Sequence, residues 1–417
     1  MKNFSSGLLT YCAIVFIISL FSFKINILEI GGSGIRLDDF LLFSSLPLFL
    51  FIFDKVKIRS EFKYFFLFIG FSLLSLILGV FFNRISFLEG AFYWFRNIQY
   101  MCFFVFGMVL ASHINIDRVF RYYIIYVVIF LLLQYFSLIP TFSLFVGSGR
   151  AVANTSGPYE LAVLMGLTAF FFWFESPRKI YIGLSILILF LTQSRISLVA
   201  LILILFFAAF KMRGRLVFLG LCVAGVFVVS VSDIGALDRF TLLFDQKTLD
   251  SFDIIFNGIP HFNNTWAYRD WAFVDYVDVL AGTEGDKSTY IRLIRQYSLF
   301  QSIKECGASC VLFGLGPSFA SAAVDGNLTR LLVEYGAVGT CLFIFGIWKV
   351  VAATGKKAVK YYFFLLLITA IAIDILVSSK AMFLLWFLCG YYCHNNRFFV
   401  IKAQPLALMP LEKSETA

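Results

Sequence analysis

Arginines and carboxylates lie beside or within the apolar segments of this sequence. The arginines are Arg150, Arg195, Arg292, Arg295 and Arg330, and the acids are Asp325, Glu160 and Glu334. The guanidinium group is a flat fork that binds phosphate or carboxylate with two hydrogen bonds, while a carboxylate can accept a proton from a reacting group. A cavity that combined these groups could therefore hold a diphosphate leaving group and activate an attacking hydroxyl.

Glu160 and Glu334 fall inside apolar runs. An unpaired carboxylate in such a place is costly, so we expect each of them to face a polar cavity or an arginine. The obvious partners are Arg150, Arg195 and Arg330.

A second group of candidates lies in the polar stretch that follows residue 233. His261 stands in the segment 260–264 and could act as a base or as a hydrogen-bond partner, although an ordinary surface histidine is the alternative. Trp266, Tyr268 and Trp271 have the apolar faces and polar rims that suit sugar binding. An aromatic belt at a membrane interface would explain the same three residues.

The composition shows what kind of element must position these side chains. Of the 417 residues, 60% are hydrophobic and only 14% are charged, whereas soluble domains have about 45–50% apolar and about 25% charged residues. This excludes a soluble enzyme and predicts an all-α polytopic membrane protein that lies in a lipid bilayer. The net charge of +9 is explained by orientation in the membrane, so we expect no nucleic-acid partner. Three scattered histidines argue against a metal site, and no cofactor is expected.

The apolar runs predict about twelve membrane spans. They are 7–23, 40–53, 64–82, 97–112, 120–140, 158–174, 180–193, 196–210, 216–232, 328–348, 361–378 and 381–396. Lysine-rich short loops then lie on the cytoplasmic side if both termini are cytoplasmic. The predicted organisation is nine spans in 1–232, a long external loop in 233–327, three spans in 328–400 and a cytoplasmic tail in 401–417.

The seventh and eighth spans are short. At 1.5 Å per residue they cover roughly 21–22 Å of a ~30 Å hydrocarbon core. The turn at 192–195 should therefore lie recessed in the outer leaflet, together with Arg195. A cation in that position is a functional-site hypothesis, and an arginine that reaches to the interface is the alternative.

Cys306 and Cys310 are four residues apart in the predicted external loop. A disulfide between them is compatible with this spacing, but we favour two unpaired small residues.

Several segments resemble one family of membrane enzymes. LTQSRISL at 191–198 is similar to the T-x-S-R turn of bacterial O-antigen ligases and O-antigen polymerases. Gly149-Arg150 and GPYELA at 157–162 resemble the approach to the sixth span in the polymerases. FGLGP at 313–317 and DGNLTRLLVEYGAVG at 325–339 are similar to the closing motif of the superfamily. The segments occur in the family's order, with the long loop between the second and the third.

The resemblance implies a metal-independent glycosyltransferase with a membrane-embedded, GT-C-like helical fold. It would join undecaprenyl-diphosphate-linked O-antigen units at the periplasmic face of the bacterial inner membrane, in lipopolysaccharide biosynthesis, with a chain-length regulator protein as a partner. Ligases often carry a histidine where this chain has Asp325, and this departure weakens the resemblance to a ligase. The GPYE segment at 157–160 and the high phenylalanine content are similar to polymerases, which favours a polymerase.

The same resemblance suggests roles for the residues. Arg195 would hold the donor diphosphate with Arg150 and one or more of Arg292, Arg295 and Arg330. Asp325 is ranked first as the general base, followed by Glu160 and Glu334, and His261 is a further candidate.

Two alternatives remain from the sequence. An O-antigen ligase would transfer the glycan to the lipid A core. A flippase for lipid-linked oligosaccharides would be a non-enzymatic alternative, although its two halves should be similar, and here one long loop dominates one side.

Overall fold

The computed structural model describes residues 6–23, 26–30, 33–36, 60–83, 85–139, 149–212, 260–274, 287–320 and 324–395. The predicted spans 40–53 and 216–232, the cytoplasmic tail and much of the long external loop lie outside these described residues.

The described chain is predominantly helical, with one antiparallel β-hairpin. The elements are α1 (Ser6–Phe21), β1 (Asn26–Ile30), β2 (Ser33–Arg36), α2 (Lys63–Phe82, preceded by a 3-10 turn at Ser60–Phe62), α3 (Phe87–Leu110), α4 (Ile116–Tyr135), α5 (Pro158–Phe174), α6 (Ile180–Leu191), α7 (Arg195–Met212), α8 (Thr265–Ala272), α9 (Lys287–Cys306), α10 (Ala308–Phe313), α11 (Asn327–Ala353), α12 (Lys357–Thr369) and α13 (Ser379–Asn395).

Two described helices are long and apolar enough to cross a bilayer, and they cover Ser60–Phe82 and Asn327–Ala353. Large apolar side chains also remain exposed on the outer surface, such as Phe82 at 77% and Ile180 at 76%. Exposed apolar surface of this extent fits contact with lipid, so the architecture is compatible with a membrane protein.

Most predicted spans agree with helices to within a few residues, but two differ. α3 begins at Phe87, ten residues before the predicted start of the span 97–112. The span 361–378 is wrong in its second half, because α12 ends at Thr369 and residues 370–378 form a non-helical turn. The backbone of this turn bonds to another segment as well as within the turn. Leu328 donates to the carbonyl of Ala370, 3.2 Å away, and the amide of Leu376 donates to the side chain of Asn327.

α3 and α13 pack very closely. A Cβ atom at Gly107 would overlap the carbonyl of Phe387, and one at Gly390 would overlap the carbonyl of Phe104. Glycines that let two backbones approach in this way are typical of helix pairs in membranes. The ring of Phe16 stacks on Phe387 at 3.9 Å between centroids, which joins α1 to this pair.

α11 is broken at Gly336, which has a φ of +66°. The backbone groups that the break exposes are bonded by the loop that follows α10. Leu315 donates to the carbonyl of Val333 at 2.8 Å, and Gly316 donates to that of Glu334 at 3.1 Å. The hydroxyl of Ser75 donates to the same Glu334 carbonyl at 2.7 Å. Broken helices are tolerated at membrane depth when their free backbone groups find partners of this kind.

Candidate functional site

The turn at 192–195 reverses the chain tightly between α6 and α7. Gln193 adopts a left-handed conformation with a φ of +51°. The hydroxyl of Thr192 donates to the carbonyl of Leu189 at 2.6 Å and accepts from the amide of Ser194 at 3.3 Å. These local hydrogen bonds close the turn and place Arg195 as the first residue of α7, where its side chain is half-buried.

Arg150 supports this turn from the side. Its Nε donates to the carbonyl of Thr192 at 3.0 Å, and its Nη2 lies 3.5 Å from the carbonyl of Gln193. Cations are favourable at the carboxyl end of a helix, where backbone carbonyls lack partners. Arg150 therefore has a structural role at the end of α6, in addition to any role in binding a ligand.

Tyr159 brings two of the predicted arginines together. Its hydroxyl lies 3.5 Å from Nη1 of Arg150 and 3.1 Å from Nη2 of Arg292. The guanidinium carbons lie 4.9 Å and 5.8 Å from the centroid of its ring. The Nε of Arg292 is buried and has no hydrogen-bond partner among the described residues. Two cations that share one phenol form a region suited to an anion.

Asp325 lies near Arg292 and Arg295. Its carboxylate forms an ion pair of 3.1 Å with Nη1 of Arg295, one turn further along α9. Burial raises the pKa of the Asp325 carboxyl above its ordinary value, Arg292 and Arg295 act in the opposite direction, and the negative charge of Asp374 adds to the rise. The side chain is 28% exposed, so a reacting group can reach it.

Arg330 has an acidic partner that the sequence analysis missed. Its Nη2 lies 3.4 Å from Oδ2 of Asp374, and its side chain is only 5% exposed. A buried, neutralised arginine is a poor ligand for a diphosphate, so the predicted binding role does not fit Arg330. The sequence signal for Asp374 is an acid within an apolar run, but hydropathy predicts one uninterrupted span over 361–378.

Glu160 is 2% exposed, and its described contacts are with hydroxyls and backbone amides. One oxygen accepts from the amide and the hydroxyl of Ser156, both at 3.0 Å. The other accepts from the hydroxyl of Ser378 and from the amide of Lys380. These donors lie at the amino ends of α5 and α13, where a carboxylate is favourable. The contacts favour a structural role over that of a general base.

Lys380 is a second residue that the sequence analysis missed. It is 1% exposed, and its ammonium group donates to three backbone carbonyls. The distances are 3.1 Å to Leu20, 2.6 Å to Ser22 and 2.9 Å to Asn154. The positive charge is thereby placed at the carboxyl end of α1.

Glu334 lies next to the break in α11 and is 2% exposed. The backbone amides of Ser318 and Ala320 bond its carboxylate, whereas Oε1 has no hydrogen-bond partner among the described residues. Glu334 and Arg330 line a cavity of about 20 Å³ together with Asn97, which is room for about one water molecule. Glu334 thus lies near Arg330, one of the arginines expected as its partner.

The predicted glycan-binding residues lie on α8 and differ in exposure. Tyr268 is 2% exposed, and its hydroxyl accepts from the amide of Phe262 at 3.1 Å. A ring enclosed in this way cannot stack on a sugar, so that role does not fit Tyr268. Trp266 is partly buried against Phe319 and donates to the carbonyl of Asn83 at 3.1 Å. Trp271 is also partly buried, while His261 is exposed and has no partner among the described residues.

Cys306 and Cys310 form a disulfide that joins α9 to α10. The interpretation that we favoured from the sequence, two unpaired residues, is therefore wrong. Gly307, with a φ of +94°, turns the chain between the two helices. The two cysteines therefore lie on either side of a turn and not along one continuous helix.

The site thus brings together Arg150, Arg292, Arg295 and Asp325, and connects them through Asp374 to Arg330 and Glu334. It combines a region suited to an anion with an accessible carboxylate. Comparisons of the chain with protein-family models, with curated proteins and with solved structures found no match.

Proposed function

We propose that the protein is an O-antigen polymerase, which joins undecaprenyl-diphosphate-linked O units at the periplasmic face of the bacterial inner membrane. One observation carries the proposal. Arg150 and Arg292 meet at Tyr159, and Arg292 and Arg295 adjoin Asp325. These residues come from distant segments, of which the first and the last carry the family resemblance. In this proposal the arginines around Tyr159 would bind a diphosphate, and Asp325 would serve as the base.

In this proposal the donor diphosphate lies against Arg150, Arg292 and Arg195. The acceptor hydroxyl gives its proton to Asp325, and its oxygen forms a new bond to the anomeric carbon of the donor. The bond between that carbon and the diphosphate oxygen breaks, and undecaprenyl diphosphate leaves with the bonding electrons. Arginines that stabilise the charge on the leaving group and a positioned carboxylate supply the needed catalysis.

The test is the lipopolysaccharide banding pattern of a clean deletion strain, complemented with the parent gene or with a variant. We expect the deletion to give lipid A core that carries a single O unit, and the parent gene to restore the ladder. Arg292→Ala and Arg195→Ala should fail to restore it at normal protein levels. Arg178→Ala is the matched control, because Arg178 lies on the opposite predicted side and is 48% exposed.

Other banding patterns would contradict the proposal. Core without any O unit in the deletion strain would favour a ligase or a flippase. Labelling of the lipid-linked glycan on the outer leaflet then separates these two, since only a strain without the flippase lacks it there. Normal ladders with Arg195→Ala would remove Arg195 from the site.

A further inference from the structure

Asp374 lies in the non-helical turn 370–378, which is hydrogen-bonded to the segment that contains Asp325. The amide of Leu328 donates to the carbonyl of Ala370. Nε2 of Gln296 bridges the two segments, 2.9 Å from the carbonyl of Asp325 and 3.2 Å from that of Ile371. The turn is thus connected to Leu328 directly and to the backbone of Asp325 through Gln296.

The carboxylate of Asp374 makes the most direct of these attachments. Oδ2 accepts from the amide of Val324 at 2.7 Å, and Oδ1 lies 3.3 Å from the amide of Gly326. These are the two residues that flank Asp325. Asp325 itself has a φ of +57°, a left-handed conformation that is uncommon for residues other than glycine, although aspartate tolerates it better than most.

We call the two hydrogen bonds from Val324 and Gly326 to Asp374 the clamp. The two acids at the clamp, Asp374 and Asp325, face different arginines. Arg330 neutralises Asp374 from α11 at 3.4 Å, while Arg292 and Arg295 face Asp325 from α9. The two acids therefore have separate cations. Asp374 is left with backbone amides and a buried arginine, and Asp325 is left facing the arginines that border the region suited to an anion.

We propose that Asp374 is a positioning residue, whose two carboxylate oxygens bind the amides on either side of Asp325 and hold that carboxylate in its reactive place. The role of Asp325 in proton transfer rests on the proposed function, but the clamp itself does not.

The first arm of the test measures the clamp without any activity. Amide hydrogen exchange is followed by mass spectrometry in peptides that cover 324–328, for the detergent-solubilised parent and for Asp374→Asn. This variant keeps the side-chain volume but has only one oxygen to accept with. Asp117→Asn is the matched control, because Asp117 also accepts from an arginine, at 3.1 Å, but touches none of the site residues.

We expect faster exchange at 324–328 in Asp374→Asn and unchanged exchange there in Asp117→Asn. Asp374→Ala, which removes both acceptor oxygens, should exchange faster still. Exchange at 324–328 that is the same in Asp374→Ala as in the parent would overturn the proposal.

The second arm measures chain growth in proteoliposomes, with an undecaprenyl-diphosphate-linked O unit as substrate, over a range of pH. A displaced base should reduce the rate on the order of 10²-fold. The acid limb of the pH profile should also move to lower pH in Asp374→Asn, because the lost negative charge no longer raises the pKa of Asp325. An acid limb and a rate that both equal those of the parent would show that Asp374 does not act on Asp325, and that result would overturn the positioning role.

The two arms keep the hypotheses separate. If the parent protein shows no chain growth, the proposed polymerase function fails, and the exchange measurement still decides whether Asp374 holds the segment around Asp325.

Discussion

The hydroxyl of Tyr159 lies 3.1 Å from Nη2 of Arg292 and 3.5 Å from Nη1 of Arg150. The two arginines come from segments that are far apart in the chain, and the phenol keeps both guanidinium groups on one side of α5. Like charges repel, so their proximity has to be supported by a neutral acceptor and a ring face. Tyr159 supplies both of these.

Tyr159→Phe should weaken donor binding and leave the protein folded. The ring face remains, but the hydroxyl that contacts two arginines is lost, and a hydrogen bond to a charged group contributes about 1.5–3 kcal/mol. We expect KM for the lipid-linked donor to rise roughly tenfold or more, with a smaller change in kcat. Steady-state kinetics in proteoliposomes would measure this, with Tyr122→Phe as the control, since Tyr122 is 62% exposed. An unchanged KM would exclude Tyr159 from the donor site.

Arg292→Lys should be nearly as inactive as Arg292→Ala. Lysine keeps the charge but lacks the planar fork, and it has no counterpart of the buried Nε of Arg292. The measurement is the O-antigen ladder in the complemented deletion strain, with protein levels checked by immunoblot. Full activity of the lysine variant would mean that only the charge of Arg292 is needed.

If the proposed function is right, Asp325→Asn should abolish chain growth, and chain growth by the parent protein should fall in acid. Burial raises the pKa of Asp325 above the ordinary value of a carboxyl. Because the base must be deprotonated, activity should fall as the pH drops through this raised pKa, at a higher pH than for an ordinary aspartate. The pH profile of kcat/KM measures the limb. Substantial chain growth by Asp325→Asn would show that another group takes the proton.

Glu160→Gln should reduce stability more than it reduces the rate per folded molecule. The carboxylate accepts from donors at the amino ends of two helices, and weakening these bonds should cost on the order of 1–3 kcal/mol. Thermal unfolding in detergent, followed by size-exclusion fluorescence, would show a lower midpoint. If the variant is instead as stable as the parent and inactive, Glu160 is a candidate base again.

The Cys306–Cys310 disulfide can be tested by thiol labelling. If this part of the chain lies outside the membrane in an oxidising compartment, the disulfide should persist there. Neither thiol should react with a membrane-impermeant maleimide in intact spheroplasts until an external reductant is added. A variant that retains these two cysteines alone isolates the signal. Reaction without reductant would place this corner of the chain in a reducing compartment, or show that the pair is not formed.

The helices could be predicted well where the chain is punctuated. The span 158–174 coincides with α5, because Pro158 opens the helix and a polar segment with Pro177 follows it. The turn 370–378 could not be predicted in the same way. Its residues are mostly apolar, and its conformation depends on hydrogen bonds to residues near Asn327, which local hydropathy does not contain.

The site could be predicted in part for a similar reason. Charges are scarce in this chain, so the sequence singles out the arginines. It does not identify their partners, because pairing depends on the tertiary fold. The family resemblance predicts that Arg330 binds a diphosphate, whereas its carboxylate partner is Asp374 in a different segment. The sequence does not single out Lys380 or Asp374, because each lies in or beside a run that hydropathy alone marks as a span.

The contacts of Lys380 have a consequence for the order of assembly. A lysine that enters the membrane carries a cost unless its charge is stabilised, and here its ammonium group donates to carbonyls at the end of α1 and at Asn154. Those carbonyls belong to segments that the ribosome makes first, whereas Lys380 opens the last described helix. The charge on α13 is therefore stabilised only after this helix packs against α1, so we expect this contact to form late in assembly.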